Sequence, residues 1–216
     1  MNFPNESAKY RSARKELLEA ELALRRQVEK VSAMRRKLPD GGELLQDYVF
    51  ASESGPVKLS QLFQRGHTLV AYSFMYAPNM KQACPMCTAF LDGLNGNAQH
   101  VAQRTNLVVI AKSPIERIVQ YARGRGWNNL RLLSSGGTTY NRDYHGENDK
   151  GAQMPMMNVF VKKDGKVRHF YGSELLYAPE DKGQNARHND LMWPLWNVLD
   201  LTPEGRGRDW YPKLAY

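Results

Sequence analysis

The chain is poor in cysteine, with two in 216 residues, and poor in long apolar runs. No stretch approaches the roughly 18 apolar residues that a membrane-spanning helix requires. Two cysteines are too few to staple a disulfide-rich scaffold, so the core has to come from hydrophobic burial. The start, Met1-Asn2-Phe3-Pro4-Asn5-Glu6, lacks a basic segment followed by an apolar one, so no signal peptide is expected and a cytoplasmic location is. The five histidines (His67, His100, His145, His169, His188) supply no local H-x(3–5)-H pair, and a zinc site would have to recruit distant ligands. At this length one good core with an appendage is the simplest expectation, and two small domains are the most it could hold.

The stretch from Ala8 to Leu38 has neither glycine nor proline and is rich in Ala, Leu, Glu, Lys and Arg, which predicts one long helix ended by Pro39-Asp40-Gly41-Gly42. Much of the net charge of +8 is here. Between Lys9 and Lys37 ten basic residues face four acidic ones, a local +6 that leaves +2 for everything else. Leu17, Leu24, Val31 and Leu38 recur every seven residues, with Ala20 and Met34 at the second positions and Gln27 interrupting them. A stripe this narrow is expected on a second helix, most simply in a homodimer, or across the chain's own domain. With one aromatic, Tyr10, and no reading motif, the basic face is expected to be solvated rather than to bind nucleic acid.

What is present is concentrated in one place, because both cysteines lie in a single turn, Cys84-Pro85-Met86-Cys87. The run Thr68 to Phe74 before it reads as a buried strand, and a helix is expected to start at the cysteines. Strand, loop, C-x-x-C and helix follow in thioredoxin-like order. Unpaired N–H groups and the positive dipole end at a helix start favour a thiolate, and such sites lower a cysteine pKa from about 8.5 into the range of roughly 3.5 to 7.5. Pro85 suits the first helical position. Cys84 is therefore the expected nucleophile and Cys87 the resolving thiol, with half of a zinc site or two unrelated buried thiols as the alternatives. Lys81, Tyr76 and His145 are nearby candidates for assistance, each also readable as an ordinary loop or packing residue.

A second signal lies at Met154-Pro155, which precedes the run Met156 to Val161, the turn Asp164-Gly165 and the run Val167 to Tyr171. Strand, tight turn and strand are expected. In thioredoxin-like proteins, which this order resembles, a proline at this point is cis and faces the dithiol, so the resemblance makes Met154 and Pro155 the expected substrate-binding residues; the alternative is an ordinary trans proline at a strand start. Leu107 to Ala111 reads as a strand buried on both faces. Ser113-Pro114-Ile115-Glu116 reads as a capping box opening a helix that Gly124 ends, with Ile115, Ile118, Val119 and Ala122 on one face. A break at Asn95-Gly96 is expected in the helix after the cysteines. Leu130 to Leu133 reads as a short strand, Ser134 to Gln153 as a long polar loop, Ser173 to Asn189 as a second one, and Leu191 to Leu201 as a closing helix with Trp193 and Trp196 in the core.

The long basic helix, Asp47-Tyr48-Val49-Phe50, Ser73-Phe74-Met75, Cys84-Pro85-Met86-Cys87 and Asp200-Leu201-Thr202-Pro203-Glu204-Gly205-Arg206 together resemble a bacterial thioredoxin-like family, catalogued as domain of unknown function 899. The resemblance spans nearly the whole chain. It implies an α/β, thioredoxin-like and peroxiredoxin-flavoured fold, with a central mixed sheet flanked by helices, behind a basic helical arm at 1–42 and with the domain at 43–216. It further implies a thiol–disulfide oxidoreductase without a resident cofactor or metal, acting on a disulfide-containing protein or small thiol. Two rivals stand beside it. Met75, Met80, Met86, Met154, Met156 and Met157 bracket the thiols, and soft sulfur ligands select Cu(I). Peroxide reduction is the other, although the Pro-x-x-x-Thr/Ser-x-x-Cys pattern is missing and Pro78 lies six residues before Cys84.

Overall fold

The computed structural model describes residues 1–182, 192–202 and 212–214. The side chain of Trp196, His188 and the Pro203–Arg206 part of the family ending lie outside the described residues. The chain divides into two compact units, Met1–Asp40 and Gly41–Tyr216.

The first unit is α1 (Ala8–Arg36), 29 residues long. Ser7 caps it, its hydroxyl oxygen accepting the Tyr10 N–H at 3.1 Å, and Arg35 and Arg36 sit in the last turn, where cations meet the negative end of the dipole. None of its residues is buried.

The second unit is built on a seven-stranded mixed sheet in the order β2-β1-β5-β4-β3-β6-β7. The strands are β1 (Val49–Ser52), β2 (Gly55–Lys58), β3 (Thr68–Phe74), β4 (Asn106–Ala111), β5 (Leu132–Ser134), β6 (Met156–Lys163) and β7 (Lys166–Gly172). The central β3, β4 and β5 run parallel, joined by α2 (Pro85–Val101) and α3 (Ile115–Arg125). The β6–β7 hairpin adds antiparallel to the other edge of β3, and the β1–β2 hairpin attaches to β5. A parallel βαβ core closed by an antiparallel hairpin is the thioredoxin-like fold.

Side chains of a strand alternate between faces, and β3 uses both. Tyr72 and Phe74 enter one core with Cys87, Phe90, Ile118, Met157 and Trp193, while Leu69 and Ala71 enter the other with Tyr48, Phe50, Tyr140 and Phe160. The β6–β7 turn has positive φ at both Asp164 (52°) and Gly165 (75°), the geometry that an Asp-Gly pair adopts at least cost. Trp193 meets Phe90 edge-on at 6.3 Å, as core packing requires. The closing helix, α5, covers Pro194–Leu199.

Four local expectations are corrected. No break occurs at Asn95-Gly96: α2 runs through it, because Cys87, Phe90, Leu91 and Ala98 bury one continuous face whose packing outweighs the weak helix preference of glycine. The capping box at Ser113 does not form. Pro114 takes the cap position without a side-chain bond, and the buried Ser113 hydroxyl has no partner. The helix it opens still buries Ile115, Ile118, Val119 and Ala122, and ends two residues later than expected, at the left-handed Gly126 (φ 72°). The segment after β5 is not a structureless loop either. It contains α4 (Tyr140–Asp143), and Asn141 anchors it by bonds to Gly146 and Gln153. Gly146 lies so close to β3 that an added Cβ would meet the Ser73 hydroxyl at 2.9 Å.

Candidate functional site

The loop from Met75 to Ala83 leaves β3 and folds back on it, so that the Cys84 N–H donates to the Met75 carbonyl at 3.2 Å. Arg117, from α3, holds the loop in that shape. Its guanidinium donates to the carbonyls of Ala77 (3.2 Å), Pro78 (3.0 Å) and Met80 (2.5 Å) and lies 4.4 Å from the centre of the Tyr76 ring. Nothing in the sequence around Arg117 marks it, since its targets are backbone carbonyls some forty residues away.

Cys84 occupies the N-cap of α2, with Pro85 in the first turn. The Cys87 N–H points at the Cys84 sulfur at 3.5 Å, a long contact of the kind that sulfur makes. Cys84 is partly exposed and Cys87 is fully buried one turn inside, both as thiols. Burial pushes the Cys87 thiol well up, and its hydrogen bond to the Cys84 sulfur reinforces this, because it makes Cys87 the donor and Cys84 the acceptor. Two groups pull the other way, the Tyr72 hydroxyl and the Met75 N–H, each hydrogen-bonded to the Cys87 sulfur. Tyr72 is itself fully buried, and its proton is held far more tightly than an ordinary phenol's, so it serves as a hydrogen-bond donor and not as a base.

Of the expected helpers, Lys81 is exposed on the loop and Tyr76 is buried under Arg117 among Phe74 and Tyr121. The neighbour of the buried thiol that sequence reasoning missed is Tyr72, the fifth residue of an apolar strand, where an aromatic reads as core.

The expected cis bond at Met154–Pro155 is overturned: no cis peptide occurs among the described residues. The physical reason is local. The chain reaches β6 through a closed loop in which the Met154 N–H donates to the Gly146 carbonyl at 2.9 Å, so no reversal is needed at the proline. That N–H is also spent internally rather than offered to a substrate chain. The Pro155 carbonyl accepts from the Tyr177 hydroxyl, whose pKa partial desolvation and the nearby Cys87 push up to about 12.

Tyr177 also lines an apolar groove of about 750 Å³, together with Met154, Met156, Leu175, His145 and Glu174. His145 holds a left-handed conformation there (φ 56°). The methionines divide: Met80 and Met156 spend their sulfurs on the Ala77 N–H and the Ser173 hydroxyl, whereas Met75, Met86 and Met157 pack in the same cluster as the two thiols. No group of three or more His, Cys, Asp or Glu side chains able to hold a metal occurs among the described residues. No helix among them is long and apolar enough to cross a membrane.

A family model described as "Bacterial protein of unknown function (DUF899)" matches residues 1–216. No curated protein matches in sequence. Similar solved structures include peroxidoxin BcpB from Mycobacterium tuberculosis, at 24% identity and a TM-score of 0.45 over 60% of this chain and 82% of that one. Reduced Prx3 in complex with hydrogen peroxide, from Vibrio vulnificus, gives 13% and 0.47 over 72% and 94%. BsSco, of the Sco family of cytochrome c oxidase assembly proteins, gives 17% and 0.40 over 63% and 87%.

Proposed function

We propose, from the premise that the chain belongs to the DUF899 family of bacterial proteins, that it is a thiol–disulfide oxidoreductase whose redox pair is Cys84 and Cys87. One observation carries the reading: the partly exposed Cys84 sulfur caps a helix and accepts the N–H of Cys87, whose own thiol is buried one turn inside, which is the arrangement an attacking and a resolving thiol need.

In the first step the Cys84 thiolate attacks one sulfur of a substrate disulfide, the S–S bond breaks, and the departing thiolate takes up a proton from water. Cys87 then gives up its proton and attacks the Cys84 sulfur. A Cys84–Cys87 bond forms, the mixed disulfide breaks, and the second substrate sulfur leaves and is protonated. Two thiols of the protein are oxidised and one disulfide is reduced; run backwards, the same steps oxidise a substrate dithiol. Tyr72 acts in the second step, donating its hydrogen bond to the Cys87 sulfur as charge develops there. Arg117 keeps the loop folded so that Cys84 stays at the cap. The groove lined by Tyr177 and Met154, with Tyr177 hydrogen-bonded to the Pro155 carbonyl, is the proposed place for the rest of the substrate, a disulfide-containing protein or small thiol. We assign the reaction to the cytoplasm, since both cysteines sit in one exchange-type turn and none is spent on a structural disulfide.

The test is the redox equilibrium of the pair against glutathione, with thiols counted by mass after alkylation. The expected result is a two-electron transition between roughly −120 and −270 mV. Cys84→Ser should drop exchange to the uncatalysed background, and Cys87→Ser should accumulate the mixed disulfide. A pair that stays reduced across that range sinks the proposal.

A second reading is Cu(I) binding, favoured by the thioethers of Met75, Met86 and Met157 in the same cluster as the thiols. Stoichiometric Cu(I) that protects both cysteines from alkylation would support it, and reduced protein that leaves Cu(I) with a weak chelator would remove it.

A further inference from the structure

The longest helix of the molecule buries nothing. Leu17, Leu24 and Met34 on its heptad stripe are 51%, 63% and 60% exposed. An isolated helix with such a stripe gains from covering it, and the sequence of the stripe says which arrangement covers it best.

We propose that α1 pairs with α1 of a second copy of this chain, antiparallel. Two observations select that occupant and that direction. The first is size. With Leu17, Leu24 and Val31 at the first heptad position, the second position holds Ala13 and Ala20 in the N-terminal half and Gln27 and Met34 in the C-terminal half. A parallel pair would stack each alanine on its own copy and leave thin layers. An antiparallel pair sets Leu24 against Ala20, Val31 against Ala13 and Tyr10 against Met34, so that large meets small or the two ends close over an aromatic, and it sets Leu17 against the stem of Gln27, whose amide can reach solvent, instead of burying two Gln27 amides face to face.

The second is charge. In a parallel pair each residue flanking the stripe faces the one five positions further along its partner, which opposes Glu16 to Glu21, Lys9 to Arg14 and Lys30 to Arg35, each twice and each of like sign. Reversing one helix brings Glu16 opposite Lys30 on both sides of the dyad. The cost is one Glu21–Glu21 contact at the centre and Lys9 opposite Lys37 at each end, where solvent screens them best. A nucleic acid would neutralise the positive ends, but it would leave the apolar stripe uncovered.

The inference is independent of the redox reading and is tested on the full-length chain. Sedimentation equilibrium should show a dimer that dissociates on dilution. Lys30→Glu should weaken it by about tenfold or more, and adding Glu16→Lys should restore it, since the pair is then reversed rather than lost. Direction is read by cross-linking. In a Cys84→Ser, Cys87→Ser background, one batch carrying Glu16→Cys is mixed with one carrying Lys30→Cys and oxidised. The mixed disulfide should form, whereas in a parallel pair the two positions lie 14 residues, about 21 Å, apart and would not join. A monomer at about 200 µM, a dimer indifferent to Lys30→Glu, or a dimer formed only with nucleic acid present would each overturn the proposal.

Discussion

The corner where β3 meets α2 and the helix α1 are built from similar apolar residues at regular spacing, yet they end in opposite environments. Tyr72, Phe74, Cys87 and Phe90 are each 2% exposed or less, while α1 has no buried residue at all. Periodicity therefore announces that a face wants covering but not what covers it. In the corner, strands on both sides of β3 and α2 above it leave no choice. On α1 nothing within its own unit competes for the stripe.

The largest effect that separates the two regions is on stability. Phe90 packs between Tyr72, at 4.8 Å, and Trp193, and its truncation to alanine removes contacts on both sides. Phe90→Ala should lower the unfolding free energy by about 3–5 kcal/mol. Leu24→Ala, of comparable chemistry in α1, should leave the denaturation midpoint of the 41–216 unit unchanged when measured in dilute solution by near-ultraviolet circular dichroism. An equal loss from Leu24→Ala would mean that the arm is part of the core after all.

Next comes the resolving step. Tyr72→Phe keeps the ring and deletes one hydrogen bond to the Cys87 sulfur, worth about 1–1.5 kcal/mol, or about tenfold in rate. Reaction of Cys84 with a disulfide should be unchanged and release of the mixed disulfide slowed, with its pH dependence displaced upward. An unaltered pH profile would make Tyr72 a packing residue only.

The buried thiol also sets a pH window. The Cys87 pKa is raised in the folded state above the ordinary thiol value of about 8.5, so its contribution to stability is whole below that value and is lost as the pH climbs through the raised one. His169 acts at the other end. Burial lowers its proton affinity, and its ring lies against Tyr144 and Phe160 with a nitrogen 2.8 Å from the Asn158 side-chain oxygen. The unfolded chain then binds a proton that the folded one resists, and stability should fall as the pH drops below about 6.5. Urea titrations of the reduced protein across pH should show both losses. His169→Gln should flatten the acid side alone.

How far the sequence was legible follows the same division. The cysteines at a helix start, the Asp-Gly hairpin, the uninterrupted α1 and the buried face of α3 all rest on neighbours within a few residues, and local chemistry was enough to read them. Arg117 gripping the Ala77–Met80 backbone and Tyr72 reaching Cys87 depend on partners brought together by the sheet, so no pattern near those residues could disclose them. Asn95-Gly96 and Ser113 mislead in the opposite direction. Their local signals are real, but a buried helix face overrides the one and the position taken by Pro114 displaces the other.

The smallest expected effect probes the arm by itself. Ser7 accepts the Tyr10 N–H, one of the four donors that a helix start leaves without a partner, and Ser7→Ala should cost the first turns of α1 about 1 kcal/mol. Because α1 buries nothing, that loss has no packing to oppose it and should stay local. Amide exchange over residues 8–12 should quicken severalfold while the exchange of β3 and α2 and the activity at Cys84 stay as they were. If the substitution instead lowered the denaturation midpoint of the sheet, the two regions would be coupled, and the exposed stripe of α1 would have to be read as covered by the chain's own body rather than by a second copy.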